Sequence, residues 1–150
     1  MLVISINGGN YGIYYAASKT NSFADVKNDS QYFPYVERAV DMRILDRTGG
    51  DLNPNGTITR EEMAQLIVRA LGYGKLAERD GIFAKPFADE AQLKHPGDAA
   101  IVVGLGIMSA TDGNFMPAQN VTKAQAATAF ARYLKARSDL ENRSPFGPMY

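Results

Sequence analysis

The 150-residue chain has no cysteine and a single histidine, His95. The first absence excludes disulfides, thiolate nucleophiles and zinc–thiolate sites, and it suits an exported protein as well as a cytosolic one. The second excludes His-based catalytic triads and multi-His metal sites, leaving carboxylates as the candidates for acid–base work. Net charge is missing too. Sixteen Lys plus Arg balance sixteen Asp plus Glu, so no global field draws in nucleic acid or an anionic membrane, and any anion recognition must be local. No apolar run is long enough to span a bilayer, so membrane insertion is not expected. The opening "MLVISINGGNYGIYY" lacks the basic start and continuous apolar stretch of a signal peptide. If the protein acts outside the cell, its export signal is expected upstream.

What is present is an internal repeat. Phe23-Ala24-Asp25 matches Phe87-Ala88-Asp89. After a one-residue deletion, Ile44, Gly50, Pro54, Thr59, Ala64 and Arg69 match Ile107, Gly113, Pro117, Thr122, Ala127 and Arg132, each 63 residues on. The expected organisation is one unit at 22–72, a connector at 73–85 and a second unit at 86–136. Each unit reads as helix, glycine-containing loop, helix. Val36, Ala39, Val40 and Ile44 recur at helical spacing after Pro34, and Met63, Leu66, Ile67, Ala70 and Leu71 do so in the next helix. In the second unit the matching helices are Asp98 to Leu105 and Lys123 to Lys135, and "VVGLGIM" is apolar nearly all round, as in a well-buried helix. The expected fold class is therefore mainly α, with tandem helix-loop-helix repeats packed as a helical bundle. Residues 1–21 differ: "LVISI" and "YGIYY" around "NGGN" signal a short β-hairpin, the end of a preceding domain. The connector has room for one short helix, and 137–150, ending "RSPFGPMY", is expected to be a flexible tail.

Two readings compete for "DLNPNGTITREE". Asp51, Asn53, Asn55, Gly56, Ile58 and Glu62 fall on the EF-hand loop pattern, and oxygens from Asp51, Asn53, Asn55, Thr57 and Glu62 could enclose calcium in an adhesion or docking module. Against this, Thr48-Gly49-Gly50 breaks any entering helix, Pro54 stiffens the wrap, and the second unit puts Asn114, Met116 and Ala118 at ligand positions. The other reading is a helix start. Thr59-x-x-Glu62 is a capping box, repeated as Thr122-x-x-Gln125. Arg60, and Lys123 after it, put a cation in a first turn where the macrodipole favours an acid. Free amides with an adjacent cation make an anion site, for phosphate or carboxylate; the plainer alternative is a solvated or salt-bridged surface residue.

Together these residues resemble the S-layer homology (SLH) domain. "FADV" (Phe23 to Val26), Tyr32, "RIL" at the Gly-Ile position, "LNP" (Leu52 to Pro54) and "ITREE" (Ile58 to Glu62) fit the first copy. "FADE", His95 in place of the tyrosine, Gly106-Ile107, "NFMP" and "VTKAQ" fit the second more loosely. The resemblance implies a non-catalytic anchor of exported proteins at the cell surface. Its partner would be a secondary cell-wall polysaccharide bearing pyruvate ketals, bound in grooves between repeats, with no cofactor. It implies Arg60, Lys123, Tyr32, Gly50, Thr59, Asp25 and Glu62 as glycan-binding residues, with Arg60 meeting the ketal carboxylate and Tyr32 packing on the sugar. It also implies a third repeat outside this chain, or association of chains, since SLH modules come in threes. Lys123 lacks the planar fork of arginine, so the second copy's site is expected to be weaker. Catalysis finds no support: Glu61 and Glu62 are adjacent and point about 100° apart on a helix, so they cannot flank one bond.

Overall fold

The computed structural model describes residues 21–84 and 86–142. The chain is mainly α-helical, as its periodicity implies. The expected hairpin at 1–21 lies outside the described residues, apart from Asn21. Among the described residues no strand is longer than an isolated bridge. The chain divides between Gly56 and Thr57 into two compact units. That boundary falls inside the first sequence repeat, immediately before Ile58-Thr59-Arg60.

In the first unit, helix α1 spans Phe33–Asp41, with Pro34 in its first turn. The ring fixes φ near the helical value and gives up an N–H that would have no partner there. Phe33 and Val36 turn inward to join Phe23 and Val26, with Val40, Leu45 and Leu52 packed around them. The helix stops at Arg43, whose φ is 60°. The equivalent residue of the second copy is Gly106, with φ 71°, for which the left-handed region costs nothing. The Ile44 expected on the helix therefore falls beyond it. Buried Glu37 is satisfied by the amide and hydroxyl of Ser22 at 2.7 and 2.8 Å.

In the second unit, α2 is Arg60–Ala70, α3 is Gly74–Ala77, α4 is Pro96–Gly104 and α5 is Lys123–Asn142, with a 3-10 turn at Glu90–Gln92 before α4. The core joins Ala64, Ile67 and Val68 of α2 to Ala99, Ile101 and Val102 of α4, with Phe87, Ile107, Met108 and Phe115 filling the space between. Each fully buried Val or Phe here contributes about 1.5–3 kcal/mol. Helix α4 comes close to α3 through Gly97, where a Cβ would lie 2.0 Å from the carbonyl oxygen of Ala77. Any side chain there would force the two apart.

The tail is corrected over six residues: 137–142, expected to be flexible, continue α5. No Pro or Gly falls between Lys123 and Asn142, and the i,i+4 pairs Lys135–Asp139 and Arg137–Glu141, at 2.8 and 3.1 Å, support the last turns.

Candidate functional site

The site is best built from the start of α2. Thr59 is the N-cap, in extended conformation. Its hydroxyl accepts from the Glu62 amide, and the Glu62 carboxylate accepts from the Thr59 amide at 2.8 Å, completing the capping box. The next two amides are also paired. Arg60 N donates to the Gln119 carbonyl at 2.8 Å and Glu61 N to the Pro117 carbonyl at 3.1 Å, while Val121 N donates back to Ile58 O. The loop of the second copy thus lies alongside the entrance to α2. This corrects the expectation of free amides at the start of α2: those of Thr59, Arg60, Glu61 and Glu62 are all taken by protein oxygens.

Arg60 is corrected in the same way. It was expected on the surface, but it is only 6% exposed. Its Nε donates to Phe115 O at 2.8 Å and its Nη2 to Ser109 O at 2.6 Å, while the guanidinium lies 4.9 Å from the centroid of the Phe115 ring. A buried cation is tolerable only with such partners. Burial pulls its pKa down and the charge of Asp89 opposes that shift, which leaves an arginine charged in any case. The physical cause of the inversion is the second copy's loop, which offers two carbonyls and an aromatic face where a solvated side chain would otherwise stand.

That loop is held in turn by Asp89, whose carboxylate accepts from the amides of Phe115 and Met116 at 2.9 and 2.7 Å. Burial would raise its pKa, but these two amides and the Arg60 charge hold it below the usual carboxylate range. Asp25 does the same in the first unit, accepting from Leu52 N and Asn53 N at 2.8 and 2.7 Å; the Leu52 amide is the main cause of its lowered pKa. Gly50 lies in the same loop, its carbonyl accepting from Ala24 N. The Phe-x-Asp motif is therefore a loop clamp in both copies. Tyr32 stands at the N-cap of α1 and is 41% exposed. Asp25, Gly50 and Tyr32 all belong to the first unit.

Glu61 was not expected to matter. It is buried, and its carboxylate accepts from the amides of Lys94 and His95 at 2.8 and 3.1 Å, fixing the entrance to α4. Glu62, the last ligand in the calcium reading, has one carboxylate oxygen on the Thr59 amide. Among the described residues no three His, Asp or Glu side chains gather as a metal site.

Between α2, the second copy's loop and α5 lies a groove of about 270 Å³. Its polar lining is Arg60, Arg132, Ser109, Thr111, Gln125 and Thr128, and its apolar wall includes Met63, Ile107, Met108 and Val121. It contains two arginines and no carboxylate, although the chain as a whole is neutral. An anion with hydroxyls around it and an apolar face would meet complementary groups here. Lys123 is exposed at the start of α5 and does not line this groove.

Comparison with known proteins agrees with the repeat. The S-layer homology domain matches residues 22–64 and 94–127, just over half of the chain. The S-layer protein sap of Bacillus anthracis is 35% identical over 112 residues, covering 74% of this chain and 13% of that protein. Exoglucanase XynX of Acetivibrio thermocellus is 31% identical over 79% of this chain and 11% of its own length. An amylopullulanase of Thermoanaerobacterium thermosulfurigenes is 32% identical over 72% and 6%. The chain thus spans about a tenth of the length of these relatives.

Proposed function

The chain belongs to the S-layer homology domain family, and we propose that it anchors its parent protein to the cell wall by binding an anionic, pyruvylated secondary wall polysaccharide in the groove between its copies. SLH domains are non-catalytic modules of the cell envelope, found in S-layer proteins and in cell-surface enzymes. No helix among the described residues is long and apolar enough to cross a membrane. The observation that carries it is the groove lined by two arginines, three hydroxyls and an amide, with no carboxylate. A ketal carboxylate answers the arginines, sugar hydroxyls answer Ser109, Thr111 and Thr128, and a sugar's apolar face answers Met63 and Val121. The volume suits about one sugar ring, below the size of a typical drug pocket.

Of the residues assigned by resemblance, Arg60 lines this groove, while Thr59 and Glu62 set the direction of its helix. Lys123 belongs to the weaker, second-copy position. That position supports association with a further repeat, from a third unit or a second chain. Phe130 is 61% exposed and Leu134 is exposed on α5, where their counterparts are Ile67 of α2, 9% exposed, and half-buried Leu71 just after it. The amides of Lys123 and Ala124 find no partner among the described residues, whereas those of Arg60 and Glu61 are paired.

The test is co-sedimentation of the chain with purified wall sacculi, before and after extraction of the non-peptidoglycan polysaccharide. Binding is expected only before extraction. Undiminished binding to bare peptidoglycan would overturn the proposal.

A further inference from the structure

The two arginines of the groove are in opposite situations. Arg60 is almost wholly buried, its Nε and Nη2 spent on the carbonyls of Phe115 and Ser109 and its face on a ring. Two of its five N–H groups are committed, and a ligand in the groove reaches little more than its edge. Arg132 stands on α5, exposed, with one long hydrogen bond from Nη1 to Ser109 Oγ at 3.4 Å. Among the described residues no carboxylate pairs with it. It has a free planar fork, the geometry that grips a carboxylate through two parallel bonds.

We infer that Arg132, rather than Arg60, makes the direct contact with the carboxylate of an acidic sugar in this groove, and that Arg60 is a positioning residue that fixes the Ser109 and Phe115 carbonyls. This rests on the anchoring function proposed above and names its specificity-determining side chain. Ser109 links the two roles: its carbonyl is pinned by Arg60 and its hydroxyl touches Arg132. When the ligand arrives, Arg132 exchanges one long bond to an uncharged hydroxyl for two bonds to a carboxylate. The motif that singles out Arg60 gives no hint of this, because Arg132 lies outside the Thr-x-x-Gln helix start, more than two turns along α5.

The experiment measures binding of wild type, Arg132→Ala, Arg132→Gln and Arg132→Lys to purified wall sacculi carrying their polysaccharide, over a range of salt concentrations. Removing the fork should weaken binding about ten- to a hundredfold for Ala and Gln, flatten the salt dependence, and leave the melting temperature within a degree or so of wild type, because Arg132 is exposed. Lysine should restore binding in part. Wild-type binding with undiminished binding by both Ala and Gln variants would overturn the assignment of Arg132 while leaving the anchoring function standing. A wild-type chain that does not bind sacculi at all would overturn both.

Discussion

The starts of α2 and α5 carry the same local device and opposite surroundings. Thr59 with Glu62, and Thr122 with Gln125, form reciprocal side-chain to backbone bonds of 2.8–3.2 Å. The cation that follows is buried at Arg60 and exposed at Lys123. A capping box is decided within four residues, so it repeats with the sequence. The environment of the next side chain is decided by what packs on the helix end. For Arg60 that is a loop about fifty residues further along the chain, and Lys123 has no equivalent among the described residues. A motif position therefore specifies a shape without specifying a role.

The largest expected effect separates the two cations. Arg60→Ala should destabilise the fold by about 2–4 kcal/mol, because it strips partners from the buried Phe115 carbonyl and the part-buried Ser109 carbonyl and opens space beside Phe115. Lys123→Ala should stay within about 0.5 kcal/mol of wild type. Urea unfolding of the two variants checks this, and equal midpoints would break the comparison.

A second contrast lies in the helices that precede these starts. The position of exposed Tyr35 on α1 is taken on α4 by Asp98, which is buried in the second unit. Burial, resisted by the charges of His95 and Arg69 and reinforced by Glu78 and Glu61, pushes its pKa from 3.8 up to about 6. The folded state then holds a proton that the unfolded chain has released. This contribution is fully present below about pH 4 and is lost as the pH rises towards about 6, above which the curve is flat. Asp98→Asn should remove that slope and raise stability at pH 7 by about 1–2 kcal/mol, allowing for partial solvent screening. Thermal melts between pH 4 and 8 measure it; a wild-type melting temperature that rises across pH 4–6 as steeply as that of Asp98→Asn would contradict the assignment.

The smallest effect should be shared. Thr59→Ala and Thr122→Ala each lose one cap, at about 1 kcal/mol. Near-equal shifts in denaturant midpoint would sharpen the view that the caps are local and the cations are not. A much larger loss at Thr59 would mean that its cap also holds the second copy's loop.

What could be read in advance follows the same division. The helices, both caps and the paired Phe-x-Asp segments were legible because periodicity and capping are written in neighbouring residues. The role of Asp89 was not, since its partners Phe115 and Met116 lie 26 and 27 residues away. Nor was the burial of Glu61, which depends on the amides of Lys94 and His95. In the sequence Arg132 stands only as the repeat counterpart of Arg69. Only the groove distinguishes it, and a groove is a property of three segments at once. The end of α5 differs for a simpler reason: the repeat carries the helix only to Lys135, whereas the i,i+4 ion pairs beyond it sustain the helix to Asn142.

The central claim is that the groove between the copies takes an acidic polysaccharide through its carboxylate. Titration calorimetry with soluble wall polysaccharide, before and after mild acid removal of its ketal-linked carboxylates, tests it most directly. Saturable binding to the intact polymer, lost once the carboxylates are gone, is the predicted result; equal affinity for the two polymers would contradict it.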